Sequence, residues 1–448
     1  SLVLDTFPGK AAVHYAQSDI VALNWYLGIP IEQLPPGLDT LYAYRVFIGT
    51  EGKAGLDTLA TKYLGMGDLH QEWNTYRVKI KKAEDRHYGS LPPDMLGWWN
   101  TAHADAHLRL AKMMRGIMEK ADPRMMECWN RMYVPAPQGL ARMTATGVPA
   151  DKKHFKKMFF HASFMLTAAE KKIQNHPIIR RVIEIHNTKA KKPITEFNPE
   201  STQQKKTLFF DILKLTPIEF SKQTKEPSTG KDTIEHYIGM YDGGALVGDQ
   251  YSILADIRES NLWSAQVSSH YGKYLNVIGS DERIHADFSM TTASGRLASS
   301  DPNMQNVPSS SRARTQRDKD IINMIKRGFG IWWEDNDLFL VSADYSQIEL
   351  RGLGILAKDP AIITGYNTPG TDIHQETAEF LQGLLGNVIH KTFTRRTAKD
   401  INFGLAYMQT TMGLAKKLTK EGFPVTENEA EQIQKSLKSR YTSLDTYI

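Results

Sequence analysis

At 448 residues with 41% apolar side chains, the chain can bury several cores and should hold about three domains. A single cysteine, Cys128, excludes an internal disulfide framework. No run approaches the ~18 consecutive apolar residues of a membrane helix, which excludes such a span. Formal net charge is only +5, yet residues 151–231 hold 17 Lys and Arg against 8 Asp and Glu, which leaves the remainder slightly acidic. A positive field so concentrated suits a phosphate backbone, although solvent alone also favours lysines on a helix face.

In chain order, residues up to about 120 read as mixed α/β, with joints near Pro123 and Pro135 to Pro137. From Asp151 to about Ile278 the pattern is helical and lysine-rich. STGK at Ser228 fails as a phosphate loop, because Lys225 stands where its first glycine is required, so it reads as a turn. Strands are expected around Ile284 to Phe288 and over Leu338 to Ala343. The second of these is bulky and apolar, and it delivers Asp344 to the point where a buried strand leaves its sheet. A carboxylate there, with the adjacent Tyr345 carbonyl, offers two hard oxygen ligands to a divalent cation. It could equally cap the helix beginning near Ser346. Helices dominate from Gln347 onward, with a joint near Gly354. In TFTRRTAKDINFGLAYMQ, Arg395, Lys399, Phe403 and Tyr407 recur every four residues, so on a helix each lies about 40° round from the last. Two cations followed by two aromatics on one face can hold a triphosphate at one end and stack on a base at the other.

DYSQIELR and RRTAKDINFGLAY together closely resemble the A and B motifs of family A DNA polymerases. TTASGRLASSDPNMQNVP is similar to that family's primer-template-contacting segment, and PAPQGLARMTATGVPAD to the opening of its polymerase domain. FNPESTQQKKTLFFDIL with KEPSTGKDTIEHY resembles its thumb. The fold implied is a multidomain α/β chain: a partial RNase H-like 3′–5′ exonuclease domain over residues 1–122, then a right-hand polymerase domain. Within the latter, residues 123–278 would be its start and thumb, 279–354 the first part of the palm and 355–448 the fingers. The activity implied is addition of deoxynucleotides to a primer 3′ end on a DNA template, in replication or repair, using two Mg2+ ions. Primer-template DNA and deoxynucleoside triphosphates would be the partners, acting on a monomer in the cytoplasm of a bacterial or phage-infected cell, or in an organelle.

Position by position, the resemblance makes Asp344 and the Tyr345 carbonyl metal ligands, and it makes Arg395 and Lys399 the catalytic triphosphate clamp. Gln347 and Phe403 join the nucleotide site. Glu349, hydrogen-bonded by Tyr407, would close off the sugar 2′ position. Arg296, Gln305 and Asn306 would contact the minor groove, where acceptors shared by all pairs permit contact without sequence preference. HYAQSDIVALNWYLGI and WWNTAHADAHLRL resemble two exonuclease motifs, with Asp19 and Asp105 as ligands. Three departures accompany these matches. No His-Asp-Glu motif follows the B motif, so the second catalytic aspartate is absent and the chain by itself is expected to be inactive. The first exonuclease motif is absent too, since Asp5-Thr6-Phe7 has phenylalanine at the ligand position. Thr101 replaces the tyrosine that would orient a water in the third. A non-catalytic DNA-binding protein and a single-subunit RNA polymerase are the alternatives; Asp344, Arg395 and Lys399 argue against the first and Glu349 against the second.

Overall fold

The computed structural model describes residues 12–34, 37–49, 54–80, 90–189, 192–221, 225–242, 248–292, 294–308, 316–335, 337, 339, 341–420 and 423–447. The Asp5-Thr6-Phe7 segment therefore lies outside the described residues. The chain divides into two compact units, Ser1–Phe339 and Leu340–Ile448. No helix among the described residues is long and apolar enough to cross a membrane.

The first unit opens with β1 (Ala12–Val13) parallel to β2 (Leu38–Asp39), joined through α1 (Ala16–Leu27). Asp39 organises this corner. Its buried carboxylate accepts the backbone N–H groups of Tyr15 and Ala16 at the start of α1, and those of Leu41 and Tyr42 at the start of α2 (Thr40–Phe47). One side chain thus satisfies orphan donors at two helix N-termini. Beyond α3 (Leu56–Leu64) and α4 (Gln71–Arg77), the long α5 (Pro93–Met118) packs on α2 and α3, burying Leu110 and Met114 with Tyr42 and Leu59. Proline at its first position fits, because that N–H has no helical partner.

After α6 (Ala136–Thr146) and β3 (Val148–Pro149) comes a helical stretch, α7 (Lys152–Asn175), α8 (Pro177–Lys189), α9 (Lys231–Asp242) and α10 (Gly248–Ala265). Asp151 caps α7 through the His154 N–H. The inner face of α7 lies along α10, and Ile173 joins Val182, Phe209, Tyr237, Leu254 and Ile257 in one core. Its outer face presents Lys152, Lys153, Lys156 and Lys157 to solvent. The helix-rich, lysine-rich reading of this region agrees with the structure.

The strand expected over Ile284 to Phe288 is two strands. β4 (Arg283–Ile284) pairs antiparallel with β3, and β5 (Asp287–Ser289) pairs antiparallel with β6 (Ala298–Ser300). His285 interrupts them, its ring held between the Thr144 carbonyl and Asp281. Helix α11 (Gln316–Asp335) follows. The buried strand expected over Leu338–Ala343 is not found among the described residues. Phe339 and Val341 are each 85% exposed, and Val341 to Tyr345 belong to no ladder. Strand residues gain their stability from a neighbour's N–H and C=O groups, and the short strands described here pair only with one another. Apolar sequence alone did not supply that neighbour.

The second unit is helical: α12 (Ile348–Ala357), α13 (Pro360–Asn367), α14 (Ile373–Ile389), α15 (Arg395–Ala406), α16 (Thr411–Lys420) and α17 (Glu427–Arg440). Helix α14 is central, packing on α15 and α17, with Leu381, Leu385, Ile401, Leu405, Ile433 and Leu437 in the shared core. Gly354, expected at a joint, lies inside α12. A Cβ there would approach Ile362 Cγ2 to 2.4 Å, so glycine is what lets α12 and α13 meet closely. Asp359 is fully buried and caps α13 through the Ala361 and Ile362 N–H groups, while its other oxygen accepts Ser443 N–H. Asp359→Ala loses a cap and strands buried donors, so it should destabilise this unit by ~2–4 kcal/mol in a denaturant titration. A loss under ~1 kcal/mol would contradict this role.

Candidate functional site

The four-residue stripe forms on α15. Thr394 starts the helix by accepting the Thr397 N–H at 3.2 Å, which sets the angular phase of every residue behind it. The buried face is Ala398, Ile401, Asn402 and Leu405, and Arg395, Lys399 and Phe403 run along the flank beside it. Lys399 Nζ lies 5.9 Å from the Phe403 ring centroid, and the Phe403 and Tyr407 rings stack at 6.5 Å with 21° between planes. Tyr407 falls one residue beyond the helix, as its C-cap, and is exposed. Helix α12, which carries Glu349 in its first turn, packs beside α15.

Arg395 Nε donates to Asp372 Oδ2 at 2.6 Å. Asp372 in turn caps α14 through the His374 and Gln375 N–H groups. Burial opposes its charge, but the Arg395 hydrogen bond and those two N–H groups outweigh it and hold the carboxyl below its usual range. Arg395 is thereby oriented by the N-terminus of a neighbouring helix.

Beside this stripe lies His374, which was not legible as a site residue. It is 1% exposed, and its ring lies 6.0 Å from that of Phe403. Asn402 Nδ2 donates to its Nδ1 at 3.0 Å, so the ring proton is assigned to Nε2, which is buried and has no hydrogen-bond partner among the described residues. Burial is the largest cause that pushes this histidine down to about 4, and Arg395 and Lys399 add to it, so the ring is neutral at neutral pH. Asn402 also donates to the Thr377 hydroxyl, which meets the Tyr441 hydroxyl at 2.8 Å. A buried polar chain thus ties α14, α15 and the residue after α17 together behind the stripe. The signal available in sequence was Asp372-x-His374 at a helix start, a pattern too common to single out.

Asp344 and Tyr345 stand exposed in the segment leading to α12. The capping alternative for Asp344 fails, because the residue before the helix is Gln347, with φ 54° and no side-chain cap. Gln347 accepts the Tyr366 hydroxyl at 2.7 Å; Arg351 lies 4.2 Å from the Tyr366 ring centroid and donates to the Ser346 carbonyl. These contacts brace the turn directly behind Asp344. No three-ligand group forms around Asp344 among the described residues. The Asp344 carboxylate and Tyr345 carbonyl fit a hard cation as donors, but as part of a site only.

In the first unit, the residues expected to touch DNA come together. Gln305 Nε2 donates to the Leu297 carbonyl at 3.1 Å, which sets the exposed Gln305 and Asn306 beside the exposed Arg296. Asp105 is held by Arg109, with both carboxylate oxygens accepting at 2.9 Å, and the Thr101 hydroxyl donates to the Gly97 carbonyl. Asp19 is exposed in the first turn of α1.

The sequence profile of DNA polymerase family A matches residues 169–448. The chain belongs to this family. Among its relatives, DNA polymerase I of Borreliella burgdorferi is 25% identical over 417 residues, covering 93% of this chain and 40% of the relative. DNA polymerase I of Pseudomonas aeruginosa is 26% identical, covering 94% and 41%, and that of Streptococcus pneumoniae serotype 4 is 29% identical, covering 74% and 33%. The chain thus spans about a third to two fifths of the length of these relatives. In fold it is similar to the POL domain of Pol1 from M. smegmatis, solved in complex with DNA primer-template and dNTP, with a TM-score of 0.62 and 22% identity. That likeness covers 92% of this chain and 60% of the other. It confirms the polymerase-type architecture expected from the A and B motifs.

Proposed function

We propose that this family A member carries the nucleotide-binding and duplex-binding parts of a template-directed DNA polymerase, which extends a primer 3′ end with deoxynucleotides. The observation that carries the reading is the arrangement on α15, where Lys399, Phe403 and Tyr407 adjoin one another beside the buried Nε2–H of His374. The relatives' name, DNA polymerase I, and the primer-template and dNTP in the M. smegmatis complex support it.

In this reading Arg395 and Lys399 clamp the triphosphate, and His374 Nε2–H donates to one of its oxygens, satisfying a donor that burial otherwise leaves unpaired. As the primer 3′ hydroxyl gives up its proton to water, its oxygen bonds to the α-phosphorus, the bond to the pyrophosphate oxygen breaks, and Lys399 Nζ supplies a proton to that leaving oxygen. Phe403 flanks sugar and base. Asp344 and the Tyr345 carbonyl would hold a divalent cation such as Mg2+, which would supply positive charge beside the phosphates. Arg296, Gln305, Asn306 and the α7 lysines track the duplex. The same reading makes 123–278 the start of the polymerase domain with the thumb, 279–354 the first part of the palm and 355–448 part of the fingers. Residues 1–122 are an exonuclease-like module in which Arg109 already occupies Asp105.

Glu349 and Tyr407 are assigned to the sugar 2′ position, which separates this reading from an RNA polymerase. Glu349→Ala should lower the preference for a deoxynucleotide over its ribonucleotide by ~10–10²-fold, measured as binding of each to the chain on primer-template DNA. An unchanged ratio would place the sugar elsewhere.

A further inference from the structure

The first unit holds a cluster that the polymerase reading does not use. Asp57 lies in the first turn of α3, His70 immediately precedes α4, and His103 sits mid-way along α5. One ligand atom from each lies within 4.8 Å of the others, and no other group of three histidine, cysteine or carboxylate side chains meets this criterion among the described residues. We propose that Asp57, His70 and His103 bind one transition-metal ion of the zinc class, with water completing its coordination.

The disposition of lone pairs carries this. His103 Nδ1 lies 2.8 Å from the Trp99 carbonyl, and a carbonyl only accepts, so Nδ1 bears a proton. In the neutral ring the Nε2 lone pair then points outward, and it lies 3.6 Å from Asp57 Oδ1. That oxygen is itself buried without a hydrogen-bond partner among the described residues. Two acceptors facing one another, one of them buried, repel unless a cation stands between them. The Trp99 carbonyl plays the part of the outer partner that commonly fixes the tautomer of a metal-bound histidine.

The third ligand completes the set. His70 Nε2 meets Asp57 Oδ2 at 2.5 Å. Ligand atoms ~2.0 Å from a tetrahedral ion are about 3.3 Å apart. The two separations run to different oxygens of Asp57, so one oxygen serves both rings only after the carboxylate rotates; the His103 separation is already near that value, and the His70 separation need open by less than ~1 Å. Two imidazoles and one carboxylate select zinc, cobalt or nickel over Mg2+ or Ca2+, which prefer all-oxygen shells. Three separate elements meet here, so the ion would act as a staple across α3, the turn before α4, and α5. The site is distinct from Asp105, whose oxygens are both held by Arg109.

The test uses the tag-free 448-residue chain, stripped with chelator and desalted. Calorimetric titration with ZnCl2 should show one equivalent bound with saturation, and excess Zn2+ should raise the thermal midpoint. CoCl2 should produce the intense visible bands of a four-coordinate ion. Asp57→Asn and His103→Ala should weaken binding by ~10²-fold or more, whereas His14→Ala, altering a histidine outside the cluster, should leave it intact. Undiminished binding in the first two variants would overturn the proposal by placing the ion at other histidines. Should those variants fail to fold by circular dichroism, the unmodified chain still decides: no saturable Zn2+ binding, or only the weak spectrum of octahedral Co2+, overturns it.

Discussion

Replacing Lys152, Lys153, Lys156 and Lys157 together by alanine should weaken primer-template binding on the order of 10³-fold at low salt, if each lysine neutralises one phosphate at about 1 kcal/mol. The same change should flatten the slope of log K against log salt by roughly 3–4, at ~0.9 for each phosphate no longer neutralised. All four are exposed at the start of α7, whose opposite face is locked to α10, so the substitution removes charge without opening a core. Fluorescence anisotropy of labelled duplex across a salt series measures both quantities. An unchanged slope would put the DNA path on another face.

Lys399→Ala should weaken binding of a complementary deoxynucleoside triphosphate to the DNA-bound chain by ~10–150-fold, the equivalent of one charge-assisted hydrogen bond of about 1.5–3 kcal/mol. Arg395→Ala should cost at least as much, but for two reasons. It removes a phosphate ligand, and it also leaves Asp372, the N-cap of the helix that carries His374, without its charged partner. The two losses should therefore add incompletely in the double variant. Lys399 carries no such second duty toward α14, which makes its single variant the cleaner reading of triphosphate contact. Equal affinities in wild type and Lys399→Ala would remove this stripe from the nucleotide site.

What could be read ahead of the structure follows the range of the interactions. The α15 stripe needed only helical geometry and a capping threonine, both local, so Arg395, Lys399 and Phe403 emerged in the right phase. Tyr407 followed the same period although it lies just past the helix end. The lysine-rich face of α7 was legible for the same reason. The strand over Leu338–Ala343 was not, because a strand is a property of two segments and the residues described there have no partner. His374 and Asn402 are 28 residues apart and meet only because α14 and α15 pack together. Asp39, holding two helix starts at once, and the Asp57, His70 and His103 cluster join residues from separate elements with no recognisable spacing. Their chemistry comes from tertiary packing that hydrophobic period does not encode.

The most direct test of the central claim asks whether nucleotide binding by this chain is instructed by a template. Dissociation of the chain from a primer-template with a defined templating base is followed in the presence of each of the four deoxynucleoside triphosphates with Mg2+. A polymerase site built on α15 predicts that only the complementary nucleotide slows dissociation, and that Lys399→Ala shifts the effect to ~10–150-fold higher nucleotide concentration. Four nucleotides acting alike, or a complementary nucleotide acting equally on the variant, would contradict it.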